Sequence, residues 1–275
     1  HTIEMIREKR HTAATPPFTE RNNHYMILED IYWGLMGPAQ DSVAIVFKGY
    51  EGEISELTIS RRLKALKTIF DEGLPPTYVT FTSRRIENDI GYIQFNNFHP
   101  DILDDFERAM EQLEDTKGLI IDLRGNPGGA FGVRQQMAEK FITERTIIWH
   151  YRGRGGIDDI YLEPTDEPYL GKLVILVDSF SASSSEEFSG GLQALGRAII
   201  VGEQTPGRDL VSDLTQLPVG AYFIFPIAET QTCDATVLES RGVIPDVSSL
   251  YTKENLKGGK DIQLESAINV IRGSN

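Results

Sequence analysis

Residues 173–208 read LVILVDSFSASSSEEFSGGLQALGRAIIVGEQTPGR, and this stretch decides the fold. The apolar run Leu173 to Val177 is a buried-strand pattern. A short polar loop, Asp178 to Ser183, follows it. Phe188, Leu192 and Leu195 then recur at i, i+4 and i+7, the period of a helix with one apolar face. Ser183 therefore sits where a strand passes into a helix N-terminus. The free N–H groups and the dipole there stabilise negative charge. A serine oxygen attacking a carbonyl creates such a charge, and the neighbouring N–H groups can bind it. The same letters also spell a capping box, Ser183-Ser184-Ser185-Glu186, in which serine and glutamate satisfy helix N–H groups reciprocally. On that reading Ser183 merely starts the helix.

A second segment bears on the choice. Residues 118–141 read GLIIDLRGNPGGAFGVRQQMAEKF. Leu119 to Leu123 is another buried-strand run, and Gly125-Asn126-Pro127-Gly128-Gly129 is a turn that permits positive φ. A helix follows with Val133, Met137 and Phe141 on one face. Glycine N–H groups at a strand-to-helix turn form an anion cradle. The alternatives are a plain βα turn and a phosphate loop, but neither GxxxxGK[ST] nor GxGxxG occurs here.

Together these segments resemble the tail-specific, or C-terminal processing, serine protease family. The matching pieces are GYIQFNNF (91–98), GLIIDLRGNPGG (118–129), VDSFSASSSEE (177–187), GRAIIVGEQTPG (196–207) and ESRGVIPD (239–246). The resemblance covers roughly residues 85 to 250 and is specific, because the pieces occur in the family's order and spacing. It implies an α/β, crotonase-like (ClpP/crotonase) catalytic domain over 83–275, preceded by a partial PDZ-like domain over 1–82. It implies a serine endopeptidase that works through an acyl-enzyme on C-terminal tails of proteins. Ser183 would be the nucleophile. Ser184 and either Gly128 or Gly129 would donate the oxyanion N–H groups. The family also implies export to the periplasm or cell envelope, with a peptide or protein as partner and no cofactor or metal.

One departure concerns the base. The Ser–Lys branch of the family has lysine in a TxGK context, where this chain has Thr205-Pro206-Gly207-Arg208. Arginine stays protonated and is a poor base. Four positions on stands Ser212, where that branch usually has glutamine. The chain looks more like the branch related to tricorn core proteases and retinoid-binding-protein-like repeats, which uses a Ser–His–Ser–Glu arrangement. Glu239 fits its glutamate, but no Ser-His pair occurs. Arg208 is expected to bind a carboxylate, of a peptide or of a nearby acidic residue. The base stays open, and these 275 residues are expected to be weakly active or inactive alone. The rival readings are a pseudoprotease or hydrophobic-ligand carrier on the same fold, and an acyl-CoA enzyme.

Composition sets outer bounds. Hydrophobic content of 40% and charged content of 25% are those of an ordinary globular chain. A net charge of −14 argues against nucleic acid or an anionic membrane as partner. No apolar run is long enough to form a membrane span, and nothing within these 275 residues reads as a signal peptide. The chain starts at His1 rather than methionine, which fits a processed product or an expressed fragment. The single cysteine, Cys233, has no internal partner and no neighbouring histidine, and is expected to be a plain thiol.

Along the chain, residues 1 to 27 are weakly patterned, with a break at Thr15-Pro16-Pro17, and a helix is expected over Ile27 to Leu35. Alternation at Val43, Ile45 and Phe47, then at Leu57 and Ile59, signals a hairpin. Residues 61 to 76 read as a connector. Strands are expected at 78–82, 90–95 and 222–226, and helices through Leu103, Phe106, Met110 and Leu113, and through Leu264, Ile268 and Ile271. Asp122 and Arg124 are expected to be an architectural ion pair. Gly190 and Gly191 suggest close packing of their helix. None of the five histidines has metal-ligand spacing. His99 is expected to cap a loop, with a place in the cleft as the alternative, and His150 to be structural.

Overall fold

Three short runs of aliphatic residues form the centre of the molecule. In the computed structural model, which describes residues 20–35, 42–49, 51–60, 66–67, 77–87 and 89–273, they are β7 (Gly118–Asp122), β10 (Lys172–Val177) and β11 (Ala198–Gly202). Side chains on both faces of such a run must be covered, which suits a parallel sheet with helices on each side. β10 pairs in parallel with both β7 and β11. β6 (Ile90–Phe95) extends the parallel set, β5 (Phe81–Ile86) pairs antiparallel at one edge, and β14 (Val247–Ser248) closes the other. The order across the sheet is β14-β11-β10-β7-β6-β5. β5 begins at Phe81, ahead of the domain start expected at 83.

The chain enters this sheet after α1 (Glu20–Leu35), the hairpin β1 (Ser42–Lys48) and β2 (Ile54–Ser60), and the small pair β3 (Leu66–Lys67) and β4 (Thr77–Tyr78). One face of the sheet carries α2 (Leu103–Leu113), α3 (Phe131–Glu139) and α4 (Ser184–Ala194). The other face is covered after β14 and the short α5 (Lys253–Lys257) by α6 (Ile262–Arg272), through Ala267, Leu264, Ile268 and Ile271. The first core includes Phe95, Phe98, Phe106, Phe141 and Phe188, each essentially inaccessible to solvent. Each such side chain contributes roughly 1.5–3 kcal/mol relative to exposure.

A second sheet, antiparallel, packs against α4 in the order β12-β13-β8-β9. Its strands are β8 (Thr146–Gly153), β9 (Gly156–Leu162), β12 (Leu210–Gln216) and β13 (Tyr222–Thr232). The contact is close. A Cβ on Gly191 would lie 2.6 Å from Trp149 Nε1, and that Nε1–H donates to Glu187 O at 2.9 Å. The glycine pair in α4 is thus where the strand of Trp149 meets the helix.

Two expectations need correction. The first helix begins at Glu20, not Ile27. Its extra turns lack apolar periodicity and are fixed from outside, by Tyr25 stacked on Phe180 with centroids 5.1 Å apart. β13 runs on to Thr232, well past the strand expected at 222–226, because its second half pairs with β8. The hairpin, the helix through Phe106 and the final helix stand where the pattern puts them. The break at Thr15-Pro16-Pro17 and almost all of the connector 61–76 lie outside the described residues.

Asp122 and Arg124 are paired, Nη2 to Oδ2 at 2.6 Å, and Arg124 also reaches Asp261 at 2.8 Å. Tyr92 OH donates to Asp122 at 2.7 Å. This network ties the ends of β6 and β7 to the start of α6. His150 is bound to Asp159 of the neighbouring strand at 2.7 Å. Cys233 is a free thiol whose pKa partial burial pushes up.

Candidate active site

Ser183 stands between the end of β10 and the first turn of α4, with φ 52° and ψ −122°. A side chain at positive φ is strained, and such strain persists only where the surroundings impose it. Here they do so on both sides. The Ser183 N–H donates to Arg208 O at 3.0 Å and to Glu186 Oε2 at 3.1 Å. The residues around it are tied to the turn after β7. Ser181 Oγ donates to Leu123 O at 2.8 Å, Ala182 N–H to Asn126 O at 3.1 Å, and Ser184 Oγ to Gly129 O at 2.9 Å.

The glycines of that turn have φ of 72° at Gly125, 107° at Gly128 and 143° at Gly129. Gly128 abuts the serine: a Cβ on it would lie 2.8 Å from both Ala182 O and Ser183 Cβ. The two glycines that the sequence leaves as alternatives differ in one respect. The Gly128 N–H donates to Asn126 Oδ1 at 2.9 Å, and Asn126 is itself held by Phe95 O. Gly129 forms a parallel bridge with Phe98, using Gly128 O and Ala130 N–H. Its own N–H takes no part in that bridge. Among the described residues neither Gly129 N–H nor Ser184 N–H has a hydrogen-bond acceptor.

Glu186 joins the second loop to the serine. It is fully buried and accepts four hydrogen bonds: from Ser183 N–H, Arg208 N–H at 2.8 Å, Gly207 N–H at 2.7 Å and Thr205 Oγ1 at 2.6 Å. Burial pushes its carboxyl up to about 7, against the pull of those donors. Its role is therefore wider than a helix cap. The Arg208 side chain is engaged by α1: its guanidinium lies 4.7 Å over the Tyr25 ring and 3.5 Å from Glu29. Glu239 accepts the Asp209 N–H at 2.8 Å, and burial raises its carboxyl above the usual range, against the pull of that N–H and of Arg208. His99 is buried as the cap of a 3₁₀ turn, its Nδ1 accepting Asp101 N–H at 3.1 Å. Ser212 reaches the cavity beside Ser183, where its hydroxyl donates to Leu210 O at 3.0 Å.

Three further charged groups near the serine carry no motif in the sequence. Arg134 of α3 is fully buried between the Phe131 and Trp149 rings, at 4.7 and 3.8 Å. It is paired with Glu187, and its Nη2 donates to Tyr151 OH at 2.8 Å. Glu187 also accepts from Thr230 Oγ1 at 2.6 Å. Asp209 is buried with neither carboxylate oxygen hydrogen-bonded. One signal was available: Gly190 and Gly191 suggest that α4 is closely packed, and two glutamates in a closely packed helix need partners.

Asp209 yields a pH prediction. Burial, and then the charge of Glu186, raise its carboxyl well above the usual range, with Arg134 opposing. A carboxyl that holds its proton more tightly when folded loses stability as pH rises above about 4. Asp209→Asn should therefore be more stable than the parent at pH 8, by about 1–3 kcal/mol, with the gap closing toward pH 4. Denaturant melts at the two pH values check this; a variant less stable at pH 8 would mean that the charge is needed.

Among the described residues, no group of three or more His, Cys, Asp or Glu could hold a metal ion, and no helix is long and apolar enough to cross a membrane.

A strained serine at a helix N-terminus thus faces a glycine turn on a mixed α/β scaffold. The profile of peptidase family S41 matches residues 89–249, and the chain belongs to that family. It is similar to the "Carboxyl-terminal-processing protease" of Synechocystis, 28% identical over 248 residues, which covers 87% of this chain and 55% of the relative. To the protein of the same description from Picosynechococcus it is 30% identical over 217 residues, 75% of this chain and 51% of the relative. Among solved structures, the "photosystem II D1 C-terminal processing protease" superposes with a TM-score of 0.60 at 25% identity, over 82% of this chain and 59% of that one. The chain thus spans about half the length of the curated relatives it matches.

Proposed function

We propose that this chain carries the catalytic domain of a serine endopeptidase that cuts near C-terminal tails of proteins. Ser183 Oγ attacks the peptide carbonyl as its proton passes to a general base, the histidine of a Ser-His pair in the histidine-using branch, which later returns it to the leaving amine. The oxyanion is held by Ser184 N–H and Gly129 N–H. Collapse expels the amine with a proton and leaves an acyl-enzyme, which water hydrolyses. The observation that carries the reading is the pair of N–H groups without acceptors on either side of a serine held at φ 52°. The catalytic region is read as crotonase-like, the segment before it as PDZ-like, and the relatives support export of the whole protein. Arg208 is not the proton acceptor, since it stays charged and is engaged with Tyr25 and Glu29. In the histidine-using branch Glu239 would orient the histidine of a Ser-His pair, which the full-length protein would have to supply.

A fluorophosphonate probe on the full-length protein is expected to label Ser183 and no other residue. Labelling of Ser181 or Ser185 instead, or none on an active preparation, would overturn the assignment. Glu239→Gln is expected to lower kcat about tenfold or more with Tm unchanged; an unchanged kcat would remove Glu239 from the site and the histidine-using branch with it.

A further inference from the structure

Among the α1 residues whose side chains are described, Tyr25 alone is buried, at 5% exposure. It belongs to neither hydrophobic core of the main sheet. What covers it is the serine's own surroundings. Phe180 stacks on its ring with centroids 5.1 Å apart and planes 21° apart. The Arg208 guanidinium lies 4.7 Å from the ring centroid. Glu29, one turn further along α1, adds an ion pair to Arg208 at 3.5 Å and so holds the guanidinium by the ring.

Phe180 and Arg208 stand on the two loops that hold the serine. Phe180 is in the loop that leads from β10 to Ser183, and Arg208 is in the loop between β11 and β12. The backbones of these loops meet at the serine. Ser183 N–H donates to Arg208 O at 3.0 Å, and both Ser183 N–H and Arg208 N–H donate to Glu186 Oε2. Tyr25 therefore joins through side chains the same two loops that Glu186 joins through backbone. The strain at Ser183, φ 52°, persists only while its surroundings impose it. Ring stacking and a cation over a ring act at short range, so they resist sliding of one loop past the other. We infer that Tyr25 is a positioning residue for Ser183: it keeps the two loops in register and the serine hydroxyl toward the free N–H groups, so that a helix far ahead in the chain completes the site. The inference rests on the proposed function and adds a residue that the sequence motifs do not contain.

The test uses the full-length protein and compares two changes at one position. Tyr25→Phe keeps the ring and should match the parent within about twofold in every measurement. Tyr25→Leu removes the ring. It should slow fluorophosphonate labelling of Ser183 about tenfold or more and lower kcat for a fluorogenic peptide by the same factor, with KM within about twofold. Hydrogen exchange over residues 181–187 gives a readout without chemistry. It should become about tenfold faster in Tyr25→Leu, while β7 exchanges as in the parent. Arg208→Met alters a half-exposed side chain, should fold as the parent does, and should slow labelling about threefold or more. Combined with Tyr25→Leu, it should cost much less than the product of the two separate losses, since both changes break one stack. Equal losses in Tyr25→Phe and Tyr25→Leu, parent-like labelling in folded Tyr25→Leu or in Arg208→Met, a change in KM alone, or multiplicative losses in the double variant would overturn the inference. Faster exchange in Tyr25→Leu, on a parent that the probe labels elsewhere than Ser183, would sink the nucleophile assignment and leave the tie between the loops standing.

Discussion

Replacing Ser183 with alanine in the full-length protein is expected to lower kcat about 10⁴- to 10⁶-fold, with little change in KM or Tm. The hydroxyl is the atom that forms the acyl bond, and no neighbour can replace it: Ser181 and Ser185 spend theirs on Leu123 O and Asn126 O. Alanine keeps the Cβ, so it keeps the strain at φ 52° and leaves the loop as it is. Glycine gives a useful contrast. It adopts positive φ freely, so Ser183→Gly should be equally inactive yet more stable, by about 1 kcal/mol. Steady-state kinetics with a fluorogenic peptide and thermal melts of the three proteins check this. A loss in kcat of less than about 10² would place the nucleophile elsewhere.

Much of this site can be read from the letters, for a physical reason. β7, β10 and β11 are buried on both faces, so they are written as unbroken aliphatic runs, and a run leading into a glycine or serine turn and then a helical period is a local signal. The same holds for Asp122 and Arg124, two residues apart at a strand end. What stayed hidden depends on contacts distant in sequence. β9 (GIDDIYL) and β12 (LVSDLTQ) are charged and largely exposed, and they are strands because β8 and β13 lie beside them. Arg134 follows Val133 on a helix and reads as a solvated residue until the second sheet covers it. Gly128 and Gly129 are equivalent in sequence; only the direction of each N–H separates them. Asp209, next to an arginine that points outward, gives no sign that its own side chain points in.

Glu186→Gln should be the most damaging isosteric change near the site. Both carboxylate oxygens are acceptors and each receives two donors. Oε2 takes the N–H groups of Ser183 and Arg208, and Oε1 takes Gly207 N–H and Thr205 Oγ1. An amide has one oxygen and one NH₂, so whichever way it turns, donors face donors. Toward Ser183 and Arg208 there is no remedy, since both groups are backbone N–H. Toward Gly207 and Thr205 only the hydroxyl can rotate, and its oxygen already accepts Val243 N–H at 2.7 Å. Leaving buried donors unmatched costs about 2–4 kcal/mol, or roughly 5–10 °C in Tm for a chain of this size. Much of that loss should also appear in function, because the bonds that break hold Ser183 at its strained φ and fix the loop of Arg208 against it. Measured at pH 8, where the carboxyl of the parent is ionised, Glu186→Gln should retain the α/β circular-dichroism spectrum, melt early, and react with the fluorophosphonate probe about 10²-fold more slowly. Parent-like melting with slow labelling would show that Glu186 acts on the serine alone; parent-like labelling would show that Arg208 O and the glycine turn suffice to hold Ser183 in place.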